Sequence, residues 1–183
     1  MTSGITRKEG DILGDYRLHH AVSEGQFTRT WEGEQISMHR LVMIEMLRRQ
    51  VMQQPGVVNS FIADVRAKAL VTHPGVGAVY EAVTNDEDTF FSREKLDGDS
   101  LESLYQSGAR FSPLEIVNLL GQIAEAMLHL ENERVATVDY ELHHFIVSGK
   151  ERAKVMNLAV EGQRDERVET RTKQLLGGVC EAM

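Results

Sequence analysis

The chain has 183 residues, 42% of them hydrophobic, which is enough for one compact unit or two small lobes with a sizeable core. A net charge of −8 argues against nucleic acid or an anionic membrane as the main partner. No apolar run approaches the roughly 18 residues of a membrane span, Met1 to Lys8 lack the apolar core of a signal peptide, and the lone Cys180 excludes an internal disulfide, which fits a cytoplasmic protein.

Tyr16 to Val22, Thr28 to Gly33 and Leu41 to Leu47 are short runs of β-branched, aromatic or large apolar residues. Turn-type segments separate them, which predicts an antiparallel meander. Pro55-Gly56 breaks the chain before a helix over about 57–71, where Phe61, Val65 and Ala69 recur every four residues. His73-Pro74 stops that helix, since the residue before proline is pushed out of helical geometry. Val76 to Thr84 and Thr89 to Leu96 predict a second strand pair across the acidic turn Asn85 to Asp88.

Asp97-Gly98-Asp99 follows as a hinge-like break, and Asp99 with Glu102 has capping-box spacing for a short helix ending near Gly108. Ser112-Pro113-Leu114-Glu115 opens a long helix over about 113–131, with Ile116, Leu120, Ile123, Met127 and Leu130 along one face. Phe145 to Val147 and Val155-Met156 predict a small hairpin within about 137–157. A charged stretch from Glu161 to Arg171 precedes a last helix over about 172–183.

Five strands with one helix after the third, then mostly helix, is the element order of a protein kinase. Local sequence agrees. Gly14-Asp15-Tyr16-Arg17-Leu18 resembles the entry of bacterial Ser/Thr kinases, and Val71-Thr72-His73-Pro74-Gly75-Val76 their helix-to-strand corner. Leu96 to Leu101 is similar to the hinge, and Gln122 to Leu130 to the helix before the catalytic loop. The chain thus resembles a degenerate bacterial Ser/Thr protein kinase, a pseudokinase. The resemblance implies an α+β bilobal fold, with an antiparallel N-lobe plus one helix over 1–96 and a reduced, mostly helical C-lobe over 97–183. The activation segment looks almost deleted, and the rest of the helical lobe is missing, as in a fragment or a reduced fold.

Phosphoryl transfer needs positioned positive charge and metal ligands around the phosphates. At the three glycine positions of the phosphate-covering loop the resemblance finds Ser23, Gly25 and Thr28, a pattern that taken alone is an ordinary hairpin turn. Where the third strand should carry a phosphate-pairing lysine stands Glu45, and its helical partner glutamate aligns with Asp64. A bare carboxylate at Glu45 would repel phosphate, with each unit contact worth about 4 kcal/mol at roughly 4 Å and a dielectric of about 20. Otherwise Glu45 reaches solvent or pairs with Arg48 or Arg66.

In the catalytic loop Asp139 keeps the base position, Glu141 replaces a lysine, and His144 replaces a metal-binding asparagine. Asn157, followed by Leu158-Ala159, replaces a metal-binding aspartate. Mg²⁺ prefers hard charged oxygens, so imidazole and amide are poor substitutes, and Asp139 is expected to be a structural acceptor. His143 and His144 with Asp139, like His19-His20, make no convincing transition-metal site, because adjacent residues of an extended segment point to opposite faces. Trp31 is expected to pack.

The resemblance with these substitutions implies a non-enzyme: a protein-binding or regulatory module with no cofactor, unlikely to bind ATP. An atypical nucleotide-binding transferase with substituted metal ligands and a structural homodimer covering exposed apolar surface are the alternatives. The protein partner is not legible, and neither nucleic acid nor membrane insertion is expected.

Overall fold

A computed structural model describes residues 7–135 and 140–157. These fall into two compact units, one holding 7–69 and 79–95, the other 70–78, 96–135 and 140–157.

The first unit is an antiparallel sheet of β1 (Ile12–Leu13), β2 (Tyr16–Glu24), β3 (Thr28–Gln35), β4 (Arg40–Leu47), β5 (Val79–Thr84) and β6 (Thr89–Glu94). Their order is β1-β2-β3-β4-β6-β5, so the predicted five strands are present with a two-residue strand added at the edge. Side chains alternate across a strand, and β4 uses both faces. Val42, Ile44 and Met46 join Leu13, Tyr16, Leu18, Trp31 and Phe90 in one apolar cluster. The opposite face of the sheet receives α2 (Val57–Ala69), whose Phe61 ring lies 5.7 Å from that of Phe91. A short helix α1 (Arg49–Met52), not anticipated from sequence, links β4 to α2.

In the second unit, α4 (Pro113–Asn132) begins with a complete capping box: Ser112 Oγ accepts from Glu115 N–H, and the Glu115 carboxylate accepts from Ser112 N–H at 2.6 Å. Its buried stripe is Leu119, Ile123, Ala126, Met127 and Leu130. The expected Leu120 gives way to Leu119, as the 3.6-residue repeat turns the face one position earlier in the first turns. Three short strands, β7 (Asp99–Ser100), β8 (Phe145–Ser148) and β9 (Arg152–Val155), form a second antiparallel sheet. Gln122 of α4 ties down β9's start, donating to the Glu151 carbonyl at 2.7 Å and accepting from Ala153 N–H at 3.0 Å.

The helix after the hinge, α3 (Leu101–Gln106), is capped by Ser100, whose Oγ accepts from Ser103 N–H at 3.1 Å. Asp99, the expected cap, is instead drawn into β7, where it pairs with Val147. Ser100 is in β7 too, pairing with Ile146, and α3 starts only at Leu101, so the cap falls on the residue just before it.

Candidate functional site

The expected site residues divide between the two units. In the first, Ser23 pairs with Thr30 near the tip of the β2–β3 hairpin, and Gly25 N–H donates to the Thr28 carbonyl at 2.9 Å. A β-carbon at Gly25 would meet only that carbonyl, at 3.5 Å, an ordinary contact. The fold itself does not demand glycine there, which agrees with a plain hairpin turn.

Glu45 lies on the α2 side of β4 and is only 7% exposed. It neither reaches solvent nor pairs with Arg48 or Arg66. Arg93 Nε donates to its Oε1 at 2.7 Å, and Arg93 is 8% exposed. Register brings them together. Glu45 sits opposite Phe91 across the β4–β6 ladder, so Arg93, two residues on, is its diagonal same-face neighbour, within reach of long side chains.

Asp64 of α2 does not face Glu45 as an unmatched acid either. Lys68, one turn on and fully buried, donates to its Oδ2 at 2.6 Å. Burial pushes the Lys68 ammonium below its usual pKa, while Asp64 and then Glu45 pull it back up. Two acids and two bases thus make a polar centre between the sheet and α2: the Glu45–Arg93 pair is buried, the Asp64–Lys68 pair partly so, and Lys68 feels the charge of Glu45. Sequence reasoning missed both cations: Arg93 is 48 residues from its partner, and Lys68, seven residues after Phe61, falls on the apolar face of α2, where a lysine is not expected to be buried. Its place on that face and its i,i+4 spacing from Asp64 were the local signals available.

In the second unit, Tyr140 to Asn157 carry the other expected positions. His144 Nδ1 accepts from Glu141 N–H at 2.9 Å. In the neutral ring that leaves the proton on Nε2, a donor and so a poor cation ligand. The exposed Glu141 carboxylate lies 3.3 Å from His143 Nδ1, and the two histidine rings are 3.8 Å apart. Asn157 is buried. Asp139, Leu158, Ala159 and the expected helix over 172–183 lie outside the described residues. Among the described residues no three His, Cys, Asp or Glu side chains gather as a metal site, and no helix is long and apolar enough to cross a membrane.

Residues 16–176 match the family model for protein tyrosine and serine/threonine kinases. The chain belongs to the protein kinase family. It is 21% identical over 168 residues to the serine/threonine-protein kinase PrkC of Bacillus subtilis, covering 92% of this chain and 26% of that protein. To the serine/threonine-protein kinase PknA of Mycobacterium tuberculosis it is 22% identical over 171 residues, 91% of this chain and 40% of that one. The serine/threonine-protein kinase PLK4 of Drosophila melanogaster gives 22% over 158 residues, 86% and 20%. The chain therefore spans between a fifth and two fifths of these relatives, two of them bacterial.

These matches correct one expectation. A kinase-family chain whose relatives are named as Ser/Thr protein kinases stands among enzymes, and the inference that it is not an enzyme is overturned. That inference counted lost charges position by position along the sequence. It could not see cations arriving from β6 and from one turn further along α2.

Proposed function

We propose that this kinase-family chain is a cytoplasmic signalling module that acts chiefly by binding and regulating a protein partner, with a weakened grip on nucleotide. The observation that carries this reading is the Glu45–Arg93 pair. If Glu45 occupies the place of the phosphate-pairing lysine, that place holds a self-neutralised pair rather than one positive charge. Arg93 cancels the repulsion that a bare carboxylate would exert. What is lost is attraction, up to about 4 kcal/mol for a contact at roughly 4 Å and a dielectric of about 20.

His144 and Asn157 support the same reading, since a donating imidazole and a buried amide offer Mg²⁺ no charged oxygen. Each unit meanwhile keeps buried apolar residues as a core, and such a core can carry a recognition surface whatever its pocket does. Calorimetric titration of the chain with ATP, with and without Mg²⁺ or Mn²⁺, tests the reading. Absence of metal-dependent micromolar binding supports it; such binding would sink it.

Lys68 favours a second reading, an atypical nucleotide-dependent transferase. A buried ammonium in the same polar centre as Glu45 is a cation that could take over a phosphate if the centre rearranges. In that case Lys68→Met would abolish nucleotide binding, whereas Arg93→Met would not.

A further inference from the structure

At one end of the first unit's sheet lies an open pocket of about 210 Å³ that takes no part in the polar centre around Glu45. Four arginines line it, Arg7, Arg29, Arg48 and Arg49, in a chain whose overall charge is −8. Trp31, Met46 and Met52 supply apolar wall.

The arginines are unequally committed. Arg7 is held by Asp88 and by Glu87, the latter at 2.7 Å, and serves as wall. Arg29 and Arg48 share Glu24, but at 3.8 and 3.6 Å, beyond hydrogen-bond length, and Arg48 Nη1 also donates to the Gly25 carbonyl at 3.1 Å. Arg49 has no ion pair among the described residues. Arg29 lies 4.7 Å over the Trp31 ring. Two buried donors on this wall, Trp31 Nε1 and Arg29 Nε, have no acceptor among the described residues, and Trp31 itself is 3% exposed. Buried N–H groups left without acceptors cost about 1–3 kcal/mol each. Such a pair beside loosely held guanidinium groups marks a place for an oxyanion.

Three carboxylates already line the pocket, and they are too little: Glu87 and Asp88 are taken up by Arg7, and half-exposed Glu24 leaves both donors unmet. A phosphate monoester brings three acceptor oxygens and a charge of about −1.5 to −2, suited to forked arginine donors. We propose that this pocket recognises a phosphorylated side chain of a protein partner, with Arg48 and Arg49 gripping the phosphate, Trp31 and Arg29 donating, and Glu24 swinging out to solvent. The proposal rests on the partner-binding reading for the source of the phosphate. It uses none of the residues around Glu45, and of its two gripping arginines Arg48 donates to Gly25 of the expected phosphate-covering loop while Arg49 takes no part in that bond, so testing both lets the two readings fail separately.

Trp31 is the chain's single tryptophan, so its fluorescence and its one indole N–H resonance report on this pocket. The whole chain would be titrated with a short phosphothreonine peptide, its unphosphorylated and glutamate counterparts, and inorganic phosphate. The phosphopeptide should shift the indole resonance saturably and bind at least about tenfold tighter than the glutamate peptide or inorganic phosphate. Arg48→Gln and Arg49→Gln should each weaken it about tenfold or more, and Arg17→Gln, outside the pocket lining in the same unit, should not. The proposal is overturned by no saturable shift, by equal binding of the glutamate peptide or of phosphate alone, or by retained affinity in both arginine variants.

Discussion

Arg93 of β6 donates to Glu45 of β4 at 2.7 Å, and both side chains are buried. Buried ion pairs are costly to break because the surviving charge is left without a partner. Arg93→Leu is therefore expected to destabilise the fold by about 3–5 kcal/mol. Replacing both residues with leucine should recover most of that loss, since an apolar pair of similar volume leaves no stranded charge. Urea unfolding of the two variants and the wild type checks this. Equal destabilisation in the single and double variants would show that packing, not charge, is at stake.

Tyr16 gives the unit a pH signature. Its hydroxyl meets Glu81 at 2.8 Å and Ser92 at 2.9 Å, and burial is the main cause pushing the phenol from 10.0 up to about 12. A raised folded pKa means the neutral form is favoured on folding. Its contribution is therefore complete below about pH 10 and is lost as pH rises through about 12. The stability gap between wild type and Tyr16→Phe should hold steady below that window and narrow across it. Thermal unfolding against pH measures it.

Gly98 has φ +129°, a conformation that L side chains rarely adopt. A β-carbon there would also press into the Val147 backbone carbonyl. Gly98→Ala is expected to cost about 1–3 kcal/mol from the backbone alone. Gly108→Ala, also at positive φ but with open space around it, should cost less. Denaturant midpoints of the two variants rank them.

Ser112→Ala removes one half of the α4 capping box and is expected to cost about 0.5–2 kcal/mol. The loss should appear in the denaturant midpoint without a change in slope, because no new surface is exposed.

Local features were legible in the sequence. The Ser112 cap, the apolar run of β4 and the His73-Pro74 stop each act over a few residues, so local sequence alone reveals them. The Glu45 environment was not legible, because it is set by strand register: β4 must pair with β6 before Arg93 has any bearing on Glu45. The cap of α3 slipped from Asp99 to Ser100 because β7 runs through both residues and the helix starts only at Leu101. The pocket around Trp31 draws on four separate chain segments, and sequence alone placed Trp31 only as a packing residue.

On the proposed reading, a self-neutralised Glu45–Arg93 pair stands where a phosphate-pairing charge would be. Calorimetric Mg-ATP affinity of Glu45→Lys/Arg93→Met, set against wild type, tests it most directly. The arginine must be removed together with the acid, or two cations would be buried side by side. Wild type should bind weakly or undetectably and the double variant should gain about tenfold or more, a fraction of the roughly 4 kcal/mol available to such a contact. Tight metal-dependent binding by wild type, with no gain in the double variant, would contradict it.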